Sequence, residues 1–285
     1  RQDSVSELEI NQKQIDLLIN LYNTQQFSLA LKLTSQLIHK FPRSLTLLDI
    51  WSAANKELGN IKKAKEGYKE LIKRSPNEPA PYNNFGLVLG LEGKIDEAIL
   101  NFRKSLILNP GFHTSCFNMG NLFLRSRQDK KARLFYERTL AINPTFVGAL
   151  NNSGEQEYKA GALRRARKLF LKALIFHPAF LSAYINLAKS LNDESSKLSS
   201  HDNFCRGLII DPLSSAVFDG LSNLFTENTE CPKSFVYFQK ALLIEPQNAS
   251  FHFNLGNFFQ SRDILHQSKT FFCKSVYLAP KNFEI

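Results

Sequence analysis

The chain is poor in the residue patterns that build catalytic and metal centres. Its four cysteines, Cys116, Cys205, Cys231 and Cys273, are scattered through 285 residues and form no C-x-x-C pair. That spacing excludes a disulfide framework and a zinc site and leaves buried small hydrophobes or free thiols. It points to a reducing compartment, the cytoplasm. The six histidines (His39, His113, His177, His201, His252 and His266) show no ligand spacing. No glycine-rich phosphate loop and no nucleophile motif is present. The reading therefore assigns no catalytic residue, no metal ligand and no cofactor, and the chain itself is expected not to be an enzyme. No stretch approaches the about 18 apolar residues of a membrane span, and the start does not read as a signal peptide. Tryptophan and methionine occur once each, against 24 phenylalanines.

What is present is a period. Proline stands at Pro42, Pro76, Pro110, Pro144, Pro178, Pro212, Pro246 and Pro280, a strict 34-residue lattice that takes eight of the eleven prolines. A fixed period of this length is the signature of stacked helix pairs, in which each repeat packs only on its neighbours. The repeats run 11–44, 45–78, 79–112, 113–146, 147–180, 181–214, 215–248 and 249–282, with 1–10 as a short helical or frayed lead-in. Residues 283–285 open a ninth repeat in phase, and Arg1 stands where an initiator Met is absent. The native protein is accordingly expected to extend beyond this chain.

Numbering each repeat from 1 to 34 exposes its packing code. Position 20 is Ala30, Ala64, Ala98, Ala132, Ala166, Ser200, Ser234 and Ser268, small throughout. Position 24 is Thr34, then Tyr68, Phe102, Tyr136, Phe170, Phe204, Phe238 and Phe272. Position 8 is small except at Leu18. Small residues let two antiparallel helices approach, and the aromatic fills the space beyond them. The lattice proline ends the second helix. Gly59, Gly93 and Gly161, at position 15, suit the positive φ of a helix C-terminus. Repeat one, with Leu18 and Thr34, reads as a degenerate cap. The polar stretch 192–203 holds poor helix formers and predicts a soft turn or distorted helix, and Pro232 is expected in the first turn of its helix.

These residues resemble the tetratricopeptide repeat family, a 34-residue helix–turn–helix with small residues at positions 8 and 20 and proline at 32. The resemblance covers about 11–282. It implies an all-α, right-handed superhelical solenoid of eight repeats, with first helices lining a concave groove that binds protein or peptide. Position 6 of those helices carries Asn84, Asn118, Asn152, Asn186 and Asn254, interrupted by Asp16, Ile50 and Gly220. Position 9 adds Asn121, Asn223 and Asn257, with Glu155 and Lys189 in the equivalent places. This series resembles the asparagine ladder of O-linked N-acetylglucosamine transferases, where groove amides hold the backbone of an extended polypeptide. A carboxamide both donates and accepts, so it pairs with a peptide group whatever the side chain. With neighbouring repeats about 10 Å apart and about 3.3 Å per extended residue, one Asn meets roughly every third residue of a ligand. A second reading stands beside it: the same amides bond neighbouring repeats and fix the stacking.

In repeat five, Ser153 and Glu157 replace apolar residues at positions 7 and 11. Either they form a polar specificity point, with Lys189 or Lys159 as partner, or the helix rotates and exposes Glu157. The net charge is +10, and twelve Lys and Arg against four acids lie between Arg125 and Lys172. That segment is a solvated outer face or a surface for an acidic protein or a membrane headgroup. Nucleic acid is disfavoured because aromatic residues do not interleave with the basic ones. The leading function is a protein- or peptide-binding scaffold. The alternatives are the substrate-recruiting arm of a larger glycosyltransferase or sulfotransferase, whose opening residues 14–42 resemble, and a scaffold that self-associates through its C-terminal edge.

Overall fold

The structure, a computed structural model, describes residues 10–192, 196–226 and 232–280. Among these residues the chain is all-α: α1 (Gln12–Asn23), α2 (Phe27–Lys40), α3 (Leu45–Glu57), α4 (Ile61–Arg74), α5 (Pro79–Leu91), α6 (Ile95–Leu108), α7 (His113–Arg125), α8 (Asp129–Ile142), α9 (Val147–Lys159), α10 (Leu163–Phe176), α11 (Leu181–Asn192), α12 (Lys197–Ile210), α13 (Ser215–Thr226), α14 (Pro232–Ile244), α15 (Ala249–Gln260) and α16 (Leu265–Leu278). The helices group into two compact units, Arg1–Pro144 and Thr145–Ile285. In each unit consecutive helices pair as antiparallel hairpins, one hairpin per repeat. Every second helix then packs on the first helix of the next hairpin, and successive first helices touch one another.

The packing code read from the sequence is the core. The aromatics at position 24 from Tyr68 through Phe238 are buried, as are the alanines at position 20 from Ala30 through Ala166. A methyl group added at Gly120 would lie 2.6 Å from Tyr136, and one at Gly154 2.5 Å from Phe170, so these rings rest on bare backbone. Repeat one solves the same problem in reverse. Leu18 and Thr34 are both buried: the large side chain has moved to position 8 and the small one to position 24. The expected degenerate cap is therefore a hairpin with its volumes exchanged.

Position 15 is left-handed in all six repeats where it is described. Gly59, Gly93 and Gly161 have φ of 75–77°, and Gln25, Arg127 and Asp263 have φ of 55–60°. The chain thus reverses between the two helices of a hairpin whether or not glycine is present.

Pro232 is the first residue of α14, as its tolerance at that position predicts. The expectation of a distorted helix at 192–203 is corrected. Residues 193–195 lie outside the described residues, but Lys197–Ile210 is a regular α-helix. Tertiary packing overrides weak propensity there: Ser200 Oγ donates to the Ala188 carbonyl at 2.8 Å and Phe204 is buried. The expected lead-in over 1–10 and the ninth-repeat start at 283–285 also fall, apart from Ile10, outside the described residues.

Candidate functional site

The position-6 asparagines do not stand alone. Nδ2 of Asn84 donates to Oδ1 of Asp49 at 3.3 Å, and Nδ2 of Asn118 to Oδ1 of Asn83 at 2.9 Å. In the second unit, Asn186 donates to Asn151 at 3.1 Å and Asn254 to Asp219 at 2.8 Å. Every one of these bonds spans 35 residues, from position 6 of one first helix to position 5 of the preceding one. These four asparagines therefore bond the preceding repeat, as the stacking alternative expects. Asp49, Asn83, Asn151 and Asp219 are functional neighbours that the period-34 reading passed over; the signal lies at an offset of 35, where a polar position 5 precedes an asparagine.

The interruptions have a physical basis. Ile185 and Ile15 offer no acceptor at position 5, and the residues that follow at position 6 are Gly220 and Ile50, not Asn. At Gly220 the Phe204 ring occupies the space a Cβ would need, so no asparagine fits. Phe117 followed by Asn152 is the pair in the sequence that departs from this rule.

Three of the bonded asparagines keep part of their chemistry. Asn118, Asn186 and Asn254 are half-buried, and among the described residues no donor reaches their Oδ1. Asn84 Oδ1 accepts from Asn83 Nδ2 at 3.1 Å, and Asn152 Oδ1 lies 3.4 Å from Asn151 Nδ2. Of the position-9 residues, Asn121 accepts from the Tyr136 hydroxyl at 2.8 Å, which ties it to the core aromatic. Glu155 pairs with Lys159 at 2.8 Å along α9. Lys189, Asn223 and Asn257 are exposed. Lys189 and Asn223 both act on Asp219.

Asp49 and Asp219 hold the same repeat position, 5, in repeats two and seven. Burial pushes each carboxyl above the usual range, opposed in part by the bond from Asn84 or Asn254 and by the charge of Lys56 or Lys189. Near Asp49, the Tyr22 hydroxyl donates to Glu57 at 3.1 Å and Lys56 pairs with Glu57 at 2.8 Å. The Tyr22 phenol is raised by burial first and by the Glu57 carboxylate second. The rotation expected to expose Glu157 does not occur. Glu157 is buried together with Ala149, Leu150 and Gly154, because the Gly154–Phe170 contact fixes the roll of α9. Lys159, offered as its partner, belongs to Glu155.

Helix hairpins stacked at 34 residues, with small residues seated under position-24 aromatics, give the chain the fold of tetratricopeptide repeat proteins. Residues 51–78 match the tetratricopeptide repeat family model. No curated protein matches it. Among solved structures, the APC/C hetero-tetramer Cut9-Hcn1 is 16% identical with a TM-score of 0.76, over 95% of this chain and 53% of that one. This chain thus spans about half the length of that relative. A tetratricopeptide repeat protein from Parabacteroides merdae is 18% identical (TM-score 0.66), over 82% of this chain and 93% of that one. YrrB, described as a TPR protein with an unusual peptide-binding site, is 19% identical (TM-score 0.50), over 64% and 94% respectively. These likenesses are of fold.

Proposed function

We propose that the chain is a binding scaffold that holds an extended polypeptide against the exposed face of its first helices. The observation that carries the reading is the half-engaged carboxamide. Asn118, Asn186 and Asn254 each spend one N–H on the preceding repeat, which orients the amide, and retain an acceptor oxygen toward solvent. A pre-oriented amide binds a peptide N–H without losing the rotamer freedom a loose side chain would lose. Lys189, Asn223 and Asn257 widen the same face in the second unit with exposed polar groups. YrrB, a structural relative with a peptide-binding site, supports the class of ligand.

The test selects a binder from a random peptide library and titrates it calorimetrically against paired variants. Asn186→Ala and Asn151→Ala break the same inter-repeat bond, but only the first removes an amide from the ligand face. Asn186→Ala is expected to weaken the peptide about tenfold, at the order of one charge-free hydrogen bond, and Asn151→Ala less. Equal losses would mean that the asparagine serves stacking alone.

The same face would serve as the substrate arm of a larger transferase. The resemblance of residues 14–42 carries that alternative, and reading the frame past Ile285 checks it. Self-association is checked by sedimentation velocity across a concentration series, where a constant mass removes it.

A further inference from the structure

The second helices of the second unit carry a pattern that the groove reading does not use. In sequence, α10, α12, α14 and α16 hold eleven Lys and Arg against one acid, Asp202. The cations recur at position 26: Lys172, Arg206, Lys240 and Lys274 are all exposed. One turn further on, position 29 holds Ile175, Ile209, Leu243 and Tyr277, which are 74–84% exposed. Residues three apart on a helix are surface neighbours. Each of these four consecutive second helices therefore shows solvent one cation and one large apolar side chain side by side. Leu213, on the turn after α12, is exposed as well.

Neither feature belongs to the fold's own stability. Side chains so fully exposed contribute nothing to the core, and four of them at one repeat position form a ridge beyond the scattered apolar residues of an ordinary surface. Lys172, Arg206 and Lys274 form no ion pair among the described residues, and Lys240 lies over the Phe218 ring at 5.5 Å. In the first unit the combination occurs in repeat three alone, as Lys104 with the exposed Ile107; the other repeats there have His39, Lys73 and Ala141 at position 29 and Gln36, Glu70 and Arg138 at position 26, so the unbroken row of four belongs to the second unit.

We propose that this outer face of the second unit docks on an anionic lipid surface. The position-26 cations meet the headgroups and the position-29 side chains enter the interfacial layer. Three observations select this occupant. A second copy of the chain would oppose cation rows of like sign. An acidic protein would account for the cations but would leave the ridge without grooves to receive it, since these side chains project into solvent and do not line a cleft. A bilayer interface needs no matching shape, and basic residues beside protruding aliphatics are what binds there.

The experiment is flotation of the intact chain with phosphatidylcholine vesicles, alone or mixed equally with phosphatidylglycerol. Wild type is expected to float with the anionic vesicles only and to be released as salt is raised. Ile175→Ser, Ile209→Ser and Leu243→Ser together, exposed changes that leave the thermal midpoint in place, are expected to lower partition at least about tenfold. Lys172→Glu, Arg206→Glu and Lys274→Glu together are expected to abolish it. An Ile209→Trp reporter, read against Trp51 in the first unit, should shift its emission to the blue on anionic vesicles. Absence of flotation with anionic lipid overturns the proposal. So does flotation that survives the serine changes, or an unshifted reporter. Ridge-dependent capture of a polyglutamate peptide without vesicle binding overturns it in favour of an acidic protein partner.

Discussion

Asn254 donates to Asp219 at 2.8 Å across consecutive first helices, and the pair marks the end of a series of bonds with the same 35-residue offset. The series falls into three runs. Asp49 begins the first, which passes through Asn84 and Asn83 to Asn118; Asn151 with Asn186 and Asp219 with Asn254 make the other two. Removing the donor leaves a mostly buried carboxylate with Asn223 and Lys189 as its remaining partners. Asn254→Ala is expected to cost about 1–3 kcal/mol, while Asn257→Ala, three residues on and exposed, stays within about 0.5 kcal/mol. Urea unfolding of the two variants separates them; equal effects would remove the stacking role.

The two aspartates give these bonds a pH dependence. Burial raises the folded-state values of Asp49 and Asp219 above those of the unfolded chain. Their favourable contribution is therefore fully present below the unfolded value and is lost as pH rises through the folded one. Asp219→Asn keeps an acceptor for Asn254 and removes the charge, as Asn83 and Asn151 already do in their own repeats. The variant should be more stable than wild type at neutral pH, and the gap should close on acidification through the carboxylate range. Thermal midpoints measured from neutral to acid pH check the sign; a gap that widens on acidification refutes it.

Phe170 rests on the bare backbone of Gly154. Gly154→Ala should cost about 1–3 kcal/mol by overpacking, and Phe170→Leu introduced with it should recover part of the loss. Leu18 with Thr34 shows that the fold accepts the exchanged arrangement. Additive losses in the double variant would contradict the shared space.

Arg127 holds a φ of 55° where three sister repeats use glycine. A left-handed residue with a Cβ is strained by about 1–2 kcal/mol, and glycine returns part of that as chain entropy. Arg127→Gly should raise stability by up to about 1 kcal/mol, and Gly161→Ala should lower it by a similar amount. Denaturation midpoints moving in the same direction for both would refute this account.

The fold was legible because its code is local and repeated. A proline lattice, small residues at positions 8 and 20 and an aromatic at 24 each have one steric meaning, and all fall where the structure puts them. Leu18 and Thr34 look like decay to a position-by-position reading and become a swap once the two volumes are seen together. The ladder was legible only in half. Its donors share a repeat position, but its acceptors sit one residue earlier in the preceding repeat, where aspartate, asparagine, isoleucine and phenylalanine alternate. Glu157 was misjudged because a carboxylate on an inward stripe suggests rotation, whereas the glycine–phenylalanine contact beside it leaves α9 no freedom to turn.

The offset of 35 also makes the repeats unequal as building blocks. Repeats three and five carry both halves of the bond, Asn83 with Asn84 and Asn151 with Asn152, so a tandem copy of either would meet its own complement. Repeat six, with Ile185 before Asn186, would present its duplicate with a donor and nothing to receive it. Repeats two and seven, with Ile50 and Gly220 at position 6, can only open a run. Growth of such a chain by duplication is thus directional, with openers, extenders and closers, although all eight repeats share one length.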